Sequence, residues 1–238
     1  MTAPDLAPPL ADRAANIDVR RTHRAAFFDM DRTLVRVNTG NLYLSWQRKR
    51  GQASLRDFVR MSGWMLQYTL GIVDAPRVTA LALRGLAGVD EDAFRAECYE
   101  WYAEMVRKHV TDIARQAVKL RRAAGYVPVI LSASTPYMVA PLADDLGIAH
   151  VLCTRLDVKD GRFTGGYEDP LVYGAGKVVV AERWAREQHI DLAASTFYTD
   201  SVSDLPMLER VGEPRVINPD PRLRVRAFVR GWPVERWT

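Results

Sequence analysis

Asp29 and Asp31 are the first residues of this chain whose type and spacing suggest chemistry. They lie in Asp29-Met30-Asp31-Arg32-Thr33-Leu34, directly after the apolar run Ala25-Ala26-Phe27-Phe28. Residues i and i+2 of a strand point to one side, so both carboxylates can face one site. At the carboxyl end of a parallel strand they would enter the ligand crevice of an α/β sheet. One carboxylate could then attack phosphorus. The other could protonate a leaving oxygen and afterwards activate water. Taken alone, the pair also reads as two solvated loop aspartates.

Three further positions fit the same crevice. Asp200-Ser201-Val202-Ser203-Asp204 follows another apolar run. Its two carboxylates suit a hard cation such as Mg²⁺, which takes oxygen ligands and only one or two carboxylates. Asp204 also reads as a helix N-cap ahead of Pro206. Ser132-Ala133-Ser134 follows Val127–Leu131, where a hydroxyl and backbone N–H groups could hold phosphate oxygens. An ST-turn before a helix is the alternative. Lys177 follows Gly174-Ala175-Gly176 and could offset phosphate and aspartate charge, or could be a solvated lysine. It is not a Walker A lysine, because Val178 follows it. No G-x-S-x-G nucleophile elbow accompanies the serines. Four aspartates converging on one crevice would repel each other without cations, and Mg²⁺ with Lys177 would make them tolerable.

The elements must bring these positions together. The chain has 238 residues, 48% hydrophobic and 26% charged, which excludes a mostly disordered chain and a disulfide-stapled miniprotein. The pattern predicts strands at 25–28, 127–131, 151–158, 162–167, 195–199 and 214–217. It predicts helices over 136–146, 177–188 and 204–210. Lys159-Asp160-Gly161 reads as a hairpin turn. Strands alternating with helices imply a parallel sheet covered on both faces. Between about Asn41 and Arg122 apolar residues recur at helical spacing, and Gly51, Gly71, Pro76 and Gly88 divide the stretch into about four helices. An all-helical segment is thus inserted after the first strand of an α/β core. Residues before Ala25, rich in Pro, Ala and charge, read as a loose arm.

The ordered set DMDRTL, ILSAS, Lys177 and DSVSD resembles the four motifs of the haloacid dehalogenase (HAD) superfamily, across about Ala25 to Thr238. The insertion is similar to a type-1 cap. PLA-x-x-LGI, YTDSVSDLPML and INPDPRLR resemble the subfamily IB hydrolases, a group similar to phosphoserine phosphatases. The resemblance implies a Rossmann-like α/β core with a parallel sheet plus an inserted all-helical type-1 cap. Its division would be an arm at 1–24, a core at 25–37 and 113–238, and a cap at 38–112. It implies Asp29 as the nucleophile forming an aspartyl-phosphate and Asp31 as general acid, then base. It assigns Mg²⁺ to Asp29, the Asp31 carbonyl and Asp200, with Asp204 supporting from behind. Ser132, the Ala133 N–H and Lys177 would bind phosphate. Superfamily members that keep the second aspartate are mostly phosphatases, since an oxygen leaving group needs a proton. Asp31 therefore argues against haloacid substrates.

Two positions bear on selection. Phosphoserine phosphatases carry a Glu shortly after the first motif that meets the substrate ammonium; here that place falls on Asn38, a neutral amide. Ser203 stands where they often carry an Asn that contacts phosphate. The expected enzyme is a Mg²⁺-dependent phosphomonoester phosphatase acting on a small phosphorylated metabolite. A peripheral lipid-phosphate phosphatase and a non-catalytic phospholigand-binding protein are the alternatives. The cap aromatics Tyr43, Trp46, Phe58, Trp64, Tyr68, Phe94, Tyr99, Trp101 and Tyr102 read as a bundle core, or as the wall of an apolar pocket. The net charge is +4, from 33 basic and 29 acidic residues, and the basic residues are dispersed. That excludes a nucleic-acid footprint. Two cysteines, Cys98 and Cys153, in no C-x-x-C pattern fit a reducing cytoplasm. No apolar run reaches the ~18 residues of a membrane span. The stretch Arg222, Arg224, Arg226, Arg230, Trp232, Arg236, Trp237 reads as an exposed helix face and a last strand, or as a contact for anionic lipid.

Overall fold

A computed structural model describes residues 23–51 and 83–237. The expected arm up to residue 22, and Phe58, Trp64, Tyr68, Gly71 and Pro76 of the expected insertion, lie outside the described residues.

Strand β1 is Arg24–Phe28, and its last four residues are fully buried. A strand covered on both faces needs such an uninterrupted apolar run. Next in the chain come α1 (Thr39–Lys49), α2 (Glu91–Trp101) and α3 (Asp112–Ala123). Asn38, Asp90 and Thr111 cap them, each side chain accepting a backbone N–H of the first turn. The core then alternates: β2 (Tyr126–Ser132), α4 (Pro136–Leu146), β3 (His150–Cys153), the hairpin β4 (Leu156–Lys159) and β5 (Arg162–Tyr167), α5 (Ala175–Glu187), β6 (Thr196–Thr199), α6 (Leu205–Arg210), β7 (Glu213–Ile217), α7 (Pro221–Arg230) and β8 (Val234–Glu235). Gly147, at φ 62°, ends α4 in the left-handed conformation that a helix C-terminus favours.

Six strands form one parallel sheet in the order β3-β2-β1-β6-β7-β8. Chain order reverses direction at β1, the switch point where α/β sheets open a crevice. Phe28 stands level with Ile130 of β2 and Tyr198 of β6. Asp29 and Asp200, the residues after β1 and β6, and Ser132, the last residue of β2, therefore lie at one edge of the sheet. Neighbouring residues of β1 feed opposite layers. Phe28 packs with Ala114, Val118, Val139 and Leu142 of α3 and α4. Phe27 packs with Val180, Trp184, Met207 and Leu223 of α5, α6 and α7. Each buried Phe, Val, Leu or Met among them contributes ~1.5–3 kcal/mol by burial.

The expected single strand 151–158 is two strands in different sheets. β3 runs with β2 as far as Cys153. There the Thr154 N–H donates to the Ser134 carbonyl at 3.1 Å and its hydroxyl to the Ala133 carbonyl at 3.2 Å. These bonds tie the chain to the loop after β2, and β4 then departs to pair antiparallel with β5. The hairpin turn is as expected, with Asp160 at φ 52° and Gly161 at φ 72°. The hairpin does not stand alone. Phe163 joins Leu83, Phe94 and Cys98 from the inserted stretch and Tyr137 of α4 in a third apolar cluster.

Candidate active site

Lys177 is at the centre of the edge where β1, β2 and β6 end. It is 2% exposed, and its Nζ donates to Asp29 Oδ1 and to Asp204 Oδ2, both at 2.7 Å. The solvated-lysine reading is therefore overturned. Asp204 does stand at the N-cap position of α6, with Pro206 in the first turn, but its side chain makes no cap hydrogen bond and instead takes Lys177 and the Thr199 hydroxyl, the latter at 2.6 Å. Lys177 reaches in from the first turn of α5. Gly176 permits that approach, because a Cβ there would lie 1.9 Å from the Leu171 carbonyl oxygen.

β1 ends before Asp29, so the two aspartates are joined by a loop and not by strand alternation. The loop folds back on itself, with the Val35 N–H on the Met30 carbonyl at 3.0 Å and the Leu34 N–H on the Asp29 carbonyl at 3.4 Å. Arg32 takes φ 53° to make the turn. Its carbonyl accepts Asn218 Nδ2 at 3.1 Å, which secures a conformation a non-glycine residue adopts at a cost. Asp31 is held from α1. Its Oδ1 accepts the Thr39 N–H at 3.0 Å and the Thr39 hydroxyl at 2.6 Å. Its Oδ2 accepts Asn38 Nδ2 at 3.2 Å, while Asn38 Oδ1 caps the helix through the Asn41 N–H at 3.0 Å. Both ends of the Asn38 amide are thus engaged within the chain.

Ser132 is buried, and its Oγ accepts the Ser134 N–H at 3.3 Å, a local turn at the end of β2. Ser203 faces its own loop, with its Oγ 2.9 Å from Ser201 Oγ. It is not brought into contact with Lys177 or Asp29. Thr39, Thr199 and Asn218 were missing from the sequence reading. Only the Thr in Tyr198-Thr199-Asp200 offered a signal, as a hydroxyl beside a motif.

The electrostatics are those of crowded carboxylates. Burial pushes the Asp29 carboxyl up to about 7; Lys177 opposes this, while Asp204 and Asp31 reinforce it. Burial also raises Asp31, against its hydrogen bonds from Thr39. Asp200 is driven well above the usual carboxylate range by burial and then by Asp29 and Asp204. Burial would lower Lys177, but Asp204 and Asp29 outweigh it and hold the ammonium charged. One cation thus faces several carboxylates. Asp200 is 5% exposed, and its carboxylate receives no hydrogen bond from the described residues. No three His, Cys, Asp or Glu side chains converge as a ready-made metal cage among the described residues. Mg²⁺ does not require one, since it keeps waters and takes only one or two carboxylates. A buried, undonated carboxylate in an all-oxygen set fits such an ion.

Comparison with known proteins agrees with this geometry. The model of the haloacid dehalogenase-like hydrolase family matches residues 26–209. The chain is 32% identical over 97% of its length to a phosphoserine phosphatase of Mycobacterium tuberculosis, covering 76% of that protein. It is 28% identical over 88% of its length to a histidinol-phosphatase of Neisseria meningitidis, covering 96% of that protein. A crystal structure of a Bordetella pertussis protein with unknown function superposes with a TM-score of 0.82 at 32% identity, over 90% of this chain and 98% of that one.

Proposed function

Because this chain belongs to the haloacid dehalogenase-like hydrolase family and is a phosphatase, we propose that it hydrolyses the phosphomonoester of a small metabolite through a phosphorylated Asp29. The observation that carries the proposal is Lys177 bridging Asp29 and Asp204 in a buried crevice, with Asp31 fixed beside them. Mg²⁺, held by Asp29, the Asp31 carbonyl and Asp200, would supply charge stabilisation on the phosphoryl group. Asp204 supports that site from behind.

The chain's own residues account for the steps. An oxygen of Asp29 attacks phosphorus, and the bond from phosphorus to the ester oxygen breaks. Protonated Asp31 gives its proton to the departing alkoxide. A water then attacks the phospho-aspartate, Asp31 takes a proton from it, and the phosphorus–Asp29 bond breaks to release phosphate. Lys177, Ser132 and the Ala133 N–H bind the equatorial oxygens in this scheme. Thr39 and Asn38 keep Asp31 aimed, which makes Asn38 a positioning residue as well as one bearing on selection.

Residues 38–112 act as the cap over a core of 25–37 and 113–238. Two facts support that division. Val35 pairs antiparallel with Val110, and the Arg36 N–H donates to the His109 carbonyl at 3.0 Å, so both connections run side by side. The free, buried Cys98 and Cys153 support a cytoplasmic enzyme. The partner in this reading is a small phosphorylated substrate, with no nucleic acid.

The test is phosphate release from a panel of amino-acid, amino-alcohol, sugar and lipid phosphates, with Mg²⁺ and with chelator, beside Asp29→Asn. Release that needs the metal and vanishes in Asp29→Asn is expected. Release that survives Asp29→Asn overturns the nucleophile assignment.

A further inference from the structure

Helix α7 has two apolar faces, and among the described residues only one is covered. Leu223 and Ala227 are fully buried against the sheet. At 100° per residue the opposite side carries Val225, Phe228 and Val229. These are 63%, 86% and 76% exposed. Arg226 flanks this stripe on one side and Arg224 on the other, and both are exposed. The segment Pro221–Arg230 contains four arginines and no acidic residue. A scattered exposed Leu or Val needs no explanation, but a contiguous stripe with an almost naked Phe does.

The charge pattern selects the occupant. A second copy of this chain, meeting the same face across a twofold axis, would set Arg224 and Arg226 against their own images. An apolar stripe bordered by arginines instead complements an anionic lipid surface: the rings and methyls enter the headgroup boundary and the guanidinium groups meet phosphate. No helix among the described residues is long and apolar enough to cross a membrane, so the contact would lie in the interface plane. The helix is also tied to the candidate active site. Its cap residue Asp220 accepts the Val202 N–H at 2.6 Å, and the Asp220 N–H donates to the Asp200 carbonyl at 2.9 Å. We propose that the outer face of α7, through Val225, Phe228 and Val229 between Arg224 and Arg226, docks the enzyme on anionic lipid surfaces. This holds whichever phosphomonoester the site takes.

The experiment is flotation of the full chain with phosphatidylcholine vesicles, with and without phosphatidylglycerol, at low and high salt. Binding is expected only to the anionic vesicles and is weakened by salt. Phe228→Glu should abolish it. Arg224→Gln and Arg226→Gln should each lower the partition constant about fivefold, and roughly thirtyfold together. These side chains are exposed, so circular dichroism and release of phosphate from a soluble ester should match the parent chain. Failure to float with anionic vesicles overturns the proposal. So does binding that Phe228→Glu leaves intact. A dimer in sedimentation analysis that Phe228→Glu dissociates would assign the stripe to a second copy and overturn it equally. None of these readings depends on turnover, so the phosphatase proposal and this one fail separately.

Discussion

Asp31 has to give a proton in one half-reaction and take one in the next, so its aim matters more than its affinity for protons. Thr39, 2% exposed, fixes that aim with its N–H at 3.0 Å and its hydroxyl at 2.6 Å. Thr39→Val keeps the shape and the backbone bond but removes the hydroxyl. It should lower kcat roughly tenfold to a hundredfold with little change in KM, since a small misplacement of a catalytic group costs that much. Thr39→Ser should restore most of the rate; a full rate in Thr39→Val beside a loss in Thr39→Ser would mean the threonine methyl, and not the hydroxyl, is what matters. Asp200 makes the opposite case, a residue whose charge harms the fold. Its carboxyl is driven up by burial, Asp29 and Asp204. Asp200→Asn should therefore raise the melting temperature of the metal-free protein. It should also erase the further gain that Mg²⁺ gives the parent chain, because a ligand stabilises only the state that binds it. A parent chain whose melting temperature ignores Mg²⁺ would contradict the metal assignment directly.

The β4–β5 hairpin leaves the core and grips the inserted stretch. Gly88 N–H donates to the Phe163 carbonyl at 2.8 Å, Phe163 N–H to the Val89 carbonyl at 3.0 Å, and Glu91 N–H to the Gly161 carbonyl at 2.9 Å. Phe163 stands edge-on to Phe94 at 5.4 Å and to Tyr137 at 5.1 Å, so one ring joins α2, α4 and the hairpin. Truncating it leaves a cavity where three elements meet. Phe163→Ala should cost about 3–5 kcal/mol in urea unfolding. It should also expose the Gly88 and Glu91 amides to hydrogen exchange well before the sheet amides. Uniform exchange across the chain would show that the hairpin is not the local clamp. This clamp was not legible in the sequence. A turn signal such as Asp160-Gly161 reports its own hairpin, not the strand that hairpin will meet. The merged 151–158 strand failed for the same reason: its apolar residues run on past Cys153, while the break is made by Thr154 bonding to the β2 loop. The parallel sheet and the sites after β1, β2 and β6 were legible, because strand ends in such a sheet carry function by geometry. The burial of Lys177 was not, because lysine is almost never buried unless paired and its partners lie 148 and 27 residues away in sequence.

At the scale of the whole molecule, the layers on the two faces of the sheet are built from sequence-distant pieces, and a polar network ties α3, in one of those layers, to β6 and β7 at the edge away from the candidate active site. Arg121 of α3 donates through both Nη atoms to Glu213 at the start of β7, each at 2.8 Å, and through Nε to the Tyr198 hydroxyl at 2.6 Å. Arg215 Nε adds a bond to Glu213 at 3.1 Å. Burial alone would raise the Glu213 carboxyl, but the two arginines outweigh it and hold it down at about 2, against an ordinary 4.5. The sign of its contribution follows. A carboxyl depressed in the folded state stabilises the fold fully above its unfolded value, and that stability is lost as the pH falls toward about 2. The side chain is 32% exposed, so solvent screening limits the effect to about 1 kcal/mol. Glu213→Gln should therefore unfold at lower urea than the parent chain near neutral pH. The gap should close progressively below the ordinary carboxylate range. The buried His150, whose burial lowers its imidazole, destabilises the fold on acidification through about pH 6.5, where the unfolded chain gains a proton and the folded one does not. That loss is common to parent and variant and cancels in the difference, so the gap isolates Glu213. A gap that stays constant from neutral pH to the acid limit would mean that the network holds α3 to β7 by shape and hydrogen bonding alone, and that its charge contributes nothing to the fold.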